Sequence, residues 1–270
     1  VLEAIAELDY VPDARAQALR SGNTKTIGLI IPDIHNPHFW EIADGAEQEA
    51  YAAGYHILLS SIPPQNKYAE DIFKNLSHRR IDGLMMVPSF IYHSEEAQKT
   101  LAYLLKRRLP IVGMMSDHGD KNYNFDRVVS DYRDTTIEVM THLLSLQHRR
   151  IGLIYGIAVP DLGEDRLVAY RESLQTAGLP IDPSLIIACG PTIEDSYQAT
   201  TQLLELPSPP TALLAINDFL AIGALRAIKD LNLKVPEDVS LFGYDDIPLA
   251  KYLVPRLSTA SKDGENIGRE

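Results

Sequence analysis

The sequence predicts an α/β fold of two doubly wound parallel-sheet lobes, and three features of the chain carry that prediction. Its apolar runs are short and continuous, as in Ile27-Gly28-Leu29-Ile30-Ile31, where a half-exposed strand would alternate apolar with polar residues. Each run is followed by a stretch of helical periodicity, the alternation of a parallel sheet covered by helices. The rhythm then stops at an Asp-rich loop, residues 117–126, and starts again, which makes two sets and hence two lobes.

Taken in order, residues 27–31 form the first strand and a helix is predicted over 39–51. A strand at 56–59 and a helix over 68–77 follow, then strands at 83–87 and 111–115 separated by a helix over 95–107. Past the acidic loop, Val128 and Val129 lead into a helix that ends near Gln147. The second series has strands at 151–155, 185–188, 212–216 and 239–242, with helices over 165–177, 195–204 and 219–231 between them. A last strand at 257–260 precedes a helical pattern at 265–270 with no closing cap, so that both ends of the chain read as cut.

Composition narrows the function. With 270 residues the chain can bury one large or two medium cores. Its 37 acidic against 25 basic residues leave a net charge of −12. That argues against a phosphate-binding surface spread over the body, because nucleic-acid affinity rests on Lys and Arg at phosphates. Cys189 is the only cysteine, so no intrachain disulfide can form, which suits a reducing cytosol. No apolar run reaches the ~18 residues of a membrane span, and no basic-then-apolar leader opens at Val1.

In open α/β sheets, ligands bind beyond the carboxyl ends of the strands, where backbone N–H groups and helix starts face outward. The residues just past each predicted strand are Asp33, Asn36 and Phe39, then Ser89, then Ser116 and Asp117. In the second series they are Asn217 and Asp218, then Asp245 and Asp246, with Arg166 in the first turn of a predicted helix. Carboxylates, amides, a hydroxyl, a guanidinium and an aromatic face suit a polar, polyhydroxylated small molecule. Each residue also has an ordinary structural use: Asp218 and Asp245 as caps or turn formers, Arg166 as a solvated helix charge, Phe39 and Trp40 as core or interface.

Catalytic chemistry finds no support. Neither a GxGxxG loop nor a Walker loop is present, and no GxSxG elbow, so no dinucleotide, ATP or other cofactor is predicted. His35 and His38 flank Asn36-Pro37 without a second ligand pair, and the acidic loop lacks a calcium-loop pattern, so no metal is predicted. An enzyme acting on sugars would need an acid–base pair, for which Asp131 and Asp245 are the candidates.

The front of the chain, residues 7–39, joins a short amphipathic helix, a short basic helix and a tether directly to the first buried strand. That arrangement suits a core that holds an upstream element at fixed reach. The stretch LDYVPDARAQALRSGNTKTIGLIIPDIHNPHF resembles the LacI/GalR family of bacterial transcription repressors. So do, in order, RRIDGLMMVPS, LSLQHRRIGLIYG, DRLVAYRESLQTAG and AINDFLAIGALRAIKDLNLKVPEDVSLFGYDDIPLAKYLVPRLST. The resemblance implies a periplasmic-binding-protein-like (type I) core that binds a small effector, a sugar or sugar derivative. It also implies a homodimer and a cytoplasmic protein bound to operator DNA.

On this resemblance, residues 1–25 are a remnant of the headpiece and its hinge helix, 26–129 with 257–270 are the first lobe, and 130–256 are the second. The two helices that grip the major groove would lie upstream. The hinge helix over 14–20 would bring Ala14, Arg15, Leu19 and Arg20 to the DNA, with Leu19 as an apolar wedge in the minor groove. Arg166, Asn217 and Asp245 fall where the family contacts its effector from the second lobe, Asn36, His38 and Phe39 where it does so from the first, and Asp131 near the first crossover. Three positions depart from the family pattern: Met115 where many relatives carry an Asp, Thr135 for a common glycine, and Leu257-Ser258-Thr259 for LTT. These departures bear on which effector fits. A periplasmic-type sugar-binding protein would share the fold and cleft but would have no use for the hinge helix.

Overall fold

The computed structural model describes residues 22–62, 69–86, 95–115, 124–129, 132–156, 161–261 and 263–270. Ala14, Arg15, Leu19, Arg20, Ser89 and Asp131 lie outside these residues, as do Ser116 and Asp117.

The first sheet is built of five parallel strands: β1 (Thr26–Ile31), β2 (His56–Ser61), β3 (Gly83–Met86), β4 (Ile111–Met115) and β5 (Asp126–Val129), in the order β2-β1-β3-β4-β5. Helices α1 (Pro37–Ala52), α2 (Ala69–His78) and α3 (Glu95–Lys106) cover it. The continuity of the first apolar run has a direct cause. Leu29 and Ile31 pack with Ala46 on one face of the sheet, while Ile30 packs on the other with Phe73, Leu84 and Leu101. Helix α1 begins two residues earlier than its periodicity indicates. The Asn36 side chain accepts from the His38 N–H, and Pro37 occupies the first turn, where a missing N–H costs nothing.

The second lobe repeats the plan with β6 (Ile151–Gly156), β7 (Ile186–Cys189), β8 (Ala212–Ala215), β9 (Ser240–Asp245) and β10 (Ser258–Ser261), all parallel, in the order β10-β9-β8-β6-β7. Its helices are α4 (Arg133–Ser145), α5 (Asp161–Thr176), α6 (Ile193–Leu204) and α7 (Asp218–Asp230). All four β8 residues are buried at the centre of a core that includes Leu153, Leu203 and Ile228. None of the helices among the described residues is long and apolar enough to cross a membrane.

The strand expected to return to the first lobe does not do so. Ser258–Ser261 pairs with β9 at the edge of the second sheet, in register from Ser258 against Phe242 to Ser261 against Asp245. A buried carboxylate holds it there: the Thr259 hydroxyl donates to Asp218 Oδ1 at 2.6 Å, and the Ile247 N–H donates to Oδ2 at 2.9 Å. Only after β10 does the chain reach the first lobe, as α8 (Gly264–Arg269), which lies against α1. Glycines permit that contact. A Cβ at Gly45 would meet the Glu265 carbonyl, and one at Gly268 would meet the Ile42 carbonyl. Gly264 and Gly268 are one turn apart and share a face of α8, so the two backbones can approach closely.

Two expectations follow for stability. Gly45→Val must push α8 off α1 and should cost about 1–3 kcal/mol in thermal unfolding, a loss of several degrees. Arg269→Ala removes exposed bonds to Gln48, Glu49 and Glu265 and should leave the unfolding temperature essentially unchanged. Asp218 adds a pH dependence. Burial is the main cause that lifts its carboxyl from 3.8 to about 7, aided by the charges of Asp245 and Asp246 and opposed by the two hydrogen bonds. The folded chain therefore holds this proton more tightly than the unfolded one. The stability it contributes is complete below pH 3.8 and declines as pH rises to about 7. Subtracting the stability–pH curve of Asp218→Asn from the parent curve should isolate that decline, on the order of 1 kcal/mol per pH unit.

Candidate ligand-binding site

The residues singled out beyond the strands gather around the carboxyl ends of β1, β8 and β9. From the first lobe, Asn36 and His38 are buried at the start of α1 and Phe39 is half-buried beside them, its ring 5.6 Å from that of His38. His38 Nδ1 has no hydrogen-bond partner among the described residues and lies against Gly264 of α8. Asp33 is engaged locally, accepting from the His35 backbone N–H at 2.8 Å and lying 2.9 Å from His35 Nδ1.

From the second lobe come Arg166 and Asp245, which are only 5% and 4% exposed. Arg166 sits in the second turn of α5, because that helix starts at Asp161 instead of 165. Its guanidinium carbon lies 3.7 Å from the centre of the Tyr132 ring and 5.4 Å from that of Tyr244. Asp245 closes β9 with φ = 98°, in the region that L-residues rarely adopt, and Asp246 follows at φ = 55°. The Asp245 carboxylate makes no hydrogen bond among the described residues. Backbone strain of this kind accumulates at binding sites.

Asn217 and Asp218 divide their work differently from the expectation. Asn217 is the cap of α7, its Oδ1 accepting from the Leu220 N–H at 2.8 Å. Asp218 does not cap; it is fully buried and fastens the chain beyond β9 through Ile247 and Thr259. Asp218 thus supports the wall that carries Asp245, and Asn217 stands at the rim.

Electrostatics tie the two lobes together at this edge. Glu41, on α1 of the first lobe, has its carboxyl raised above the ordinary carboxylate range by burial first, then by Asp245, Asp246, Asp263 and Glu265. The Tyr244 hydroxyl is pushed up to about 12, chiefly by burial; its bond to Thr136 and the nearby Arg166 charge oppose that rise. Among the described residues, no group of three or more His, Cys, Asp or Glu could hold a metal ion. The arrangement offers charged and polar groups that can orient a small polar molecule.

Four contributors were missed from sequence: Tyr132, Thr136, Tyr244 and Glu41. Tyr244 carried a signal, since it directly precedes Asp245 and must therefore face the interior when Asp245 faces the cleft mouth. Tyr132 and Thr136 carried none, because their roles depend on how α4 meets α5 and β9.

Comparison with known proteins shows the family. The periplasmic binding protein-like domain matches residues 140–270. The chain is 30% identical over 269 residues to the ribose operon repressor of Haemophilus influenzae, covering all of this chain and 79% of that protein. It is 32% identical over 270 residues to the transcriptional repressor CytR of Escherichia coli, covering all of this chain and 77% of CytR. Among solved structures, a LacI family transcriptional regulator from Enterococcus faecium with bound ribose is 27% identical. It superposes with a TM-score of 0.78 over 90% of this chain and 86% of that one. With this fold, and with relatives that align over the whole chain, the protein belongs to the LacI/GalR family of transcription regulators.

Proposed function

We propose that the chain is the sensing core of a repressor, in which a sugar or sugar derivative held between the lobes controls operator binding. The observation that carries this reading is the pair Arg166 and Asp245. Both are almost fully buried at the carboxyl end of the second sheet, and the carboxylate of Asp245 lacks a hydrogen-bond donor among the described residues. An almost buried carboxylate gains from a donor that bonds it. Sugar hydroxyls can do so, donating to Asp245 and accepting from Arg166. Phe39 at the rim of the first lobe supplies a ring for the apolar face of a pyranose or furanose. The Enterococcus faecium neighbour, which holds ribose, supports a pentose as the first ligand to try.

Ligand between the lobes would favour their closed arrangement only to the extent that it binds that arrangement more tightly. In a homodimer, closure would change the separation of the two hinge segments and so their fit to operator DNA, a role that suits a cytoplasmic protein. Dimerisation has a fitting surface on the second lobe. Leu249, Tyr252 and Val254 are 49%, 72% and 90% exposed. Next to them is a cleft of about 280 Å³, lined by Leu146, Leu225 and Pro255 among others, at the amino ends of β9 and β10. An apolar face of this kind suits a second copy related by two-fold symmetry.

The test is thermal unfolding against a panel of pentoses, hexoses, nucleosides and polyols. At 100 times its dissociation constant a ligand adds about 2.7 kcal/mol, a rise of several degrees. The expected result is a shift with a sugar that disappears in both Arg166→Ala and Asp245→Asn. A shift retained in both variants would place the ligand elsewhere.

A further inference from the structure

The amino-terminal edge of the first sheet, at the opposite end of the strands from the candidate ligand site, concentrates positive charge. The segments that lead into β1, β3 and β4 bring there Lys25, then Arg79 and Arg80, then Lys106, Arg107 and Arg108, all of them exposed. Backbone bonds set the three segments side by side: the Asp82 N–H donates to the Thr26 carbonyl at 2.8 Å, and the Leu84 N–H to that of Pro110 at 2.9 Å. Six of the 25 Lys and Arg residues in a chain of net charge −12 therefore share one edge.

This charge has no structural use among the described residues. None of the six is ion-paired there; Lys25 and Arg107 only lie over the rings of Tyr55 and Tyr103. Two described carboxylates share the edge, Asp82 and Asp126, and Asp126 opens the outermost strand β5. Asp82 is committed to the entering chain. Its Oδ1 accepts from the Thr24 N–H at 3.1 Å and the Thr24 hydroxyl at 3.2 Å, and its Oδ2 from the Lys25 N–H at 2.7 Å. The corresponding edge of the second sheet is different: Arg150, leading into β6, bonds Asp182 at 3.1 Å and the Ser208 carbonyl at 2.7 Å, and Arg149 bonds the Leu144 carbonyl at 3.0 Å.

Local backbone demands do not select these cations either. The ends of α2 and α3 favour positive charge nearby, but Arg79, Arg80, Arg107 and Arg108 all follow the last helical residue. Arg108 stands at φ = 58°, in the left-handed region, where the turn after α1 uses Gly54 at φ = 75°. An arginine is thus kept at a position that glycine would occupy with less strain.

We propose that this edge is a DNA-contacting surface of the core itself, whose arginines bind duplex phosphates beside the site held by the hinge segment. The acidic body of the chain requires any such contact to be local, and this patch is local. Chain continuity puts it in the right place. Gly22, which leads into β1, is two residues beyond Arg20, a reach of about 7 Å from the hinge segment expected at residues 14–20. The Asp82 bonds fasten that entry to the same edge, so the arginines and the hinge segment approach DNA together. The proposal rests on the repressor reading above and is independent of the ligand held between the lobes.

The experiment measures binding of this chain to a fluorescent duplex of random sequence by anisotropy, over a range of sodium chloride concentrations and without sugar. It compares the parent with Arg79→Gln/Arg80→Gln, with Arg107→Gln/Arg108→Gln, and with Lys229→Gln/Lys234→Gln, which removes the same charge from the second lobe. Each phosphate contact contributes about 0.9 to the slope of log affinity against log salt, so each arginine pair should lower the slope by about 1–2 and weaken low-salt binding by about tenfold or more. The lysine pair should leave both unchanged, and all three variants should unfold at the parent temperature. Absence of salt-dependent binding by the parent would overturn the proposal. Parent-like binding in both arginine variants would overturn it while leaving the repressor reading intact, and an equal loss in the lysine variant would reduce the effect to overall charge and overturn it too. Displacement of the duplex by poly-glutamate at an equal concentration of charge would point to an acidic protein and overturn DNA as the partner.

Discussion

The buried carboxylate of Asp218 is the contact on which the arrangement of this core depends. One of its oxygens accepts from Ile247 and the other from Thr259, so a single side chain at the start of α7 fixes both the turn after β9 and the strand β10. Gly243 lies directly against it, and a Cβ there would strike Asp218 Oδ1. Through β10 the same latch sets where α8 begins, and α8 is the element that packs against α1 of the other lobe. The wall that carries Asp245 and the link between the lobes are thus held from one point. The positive φ angles at Asp245 and Asp246 sit directly beside that point, where the fold over-determines the backbone.

The consequences for recognition follow from charge and burial together. Arg166 is held against aromatic planes, Asp245 has no protein donor among the described residues, and Glu41 brings a first-lobe carboxyl into the field of Asp245 and Asp246. The two lobes meet through α1 and α8 at backbone contact distance, a junction that glycine makes possible and that larger residues would spread apart. A ligand between the lobes would act on a structure whose joint is tight on one side and polar on the other.

Much of this was legible in the chain. The central strands were readable because parallel strands buried on two faces leave unbroken apolar runs, and β1 has core contacts on both faces for that reason. The placing of Arg166 and Asp245 at the carboxyl ends followed from topology alone. The fate of residues 258–261 was not legible, because strand order is set by tertiary contacts such as Asp218 with Thr259, which leave no mark on local periodicity. The roles of Asn217 and Asp218 could not be told apart from sequence either. Adjacent polar residues before a helix both fit the cap, and only the approach of the 247 amide and the 259 hydroxyl separates them. Tyr132 escaped notice because a stacking partner is defined by the distance between helices and by no motif.

The most direct test of the account is hydrogen–deuterium exchange of this chain with and without saturating D-ribose. A ligand clasped between the lobes should slow exchange together in residues 33–39 of the first lobe and 244–247 of the second, with the same dependence on ribose concentration. Protection confined to one lobe, or appearing instead around residues 142–146 and 255–258, would contradict it.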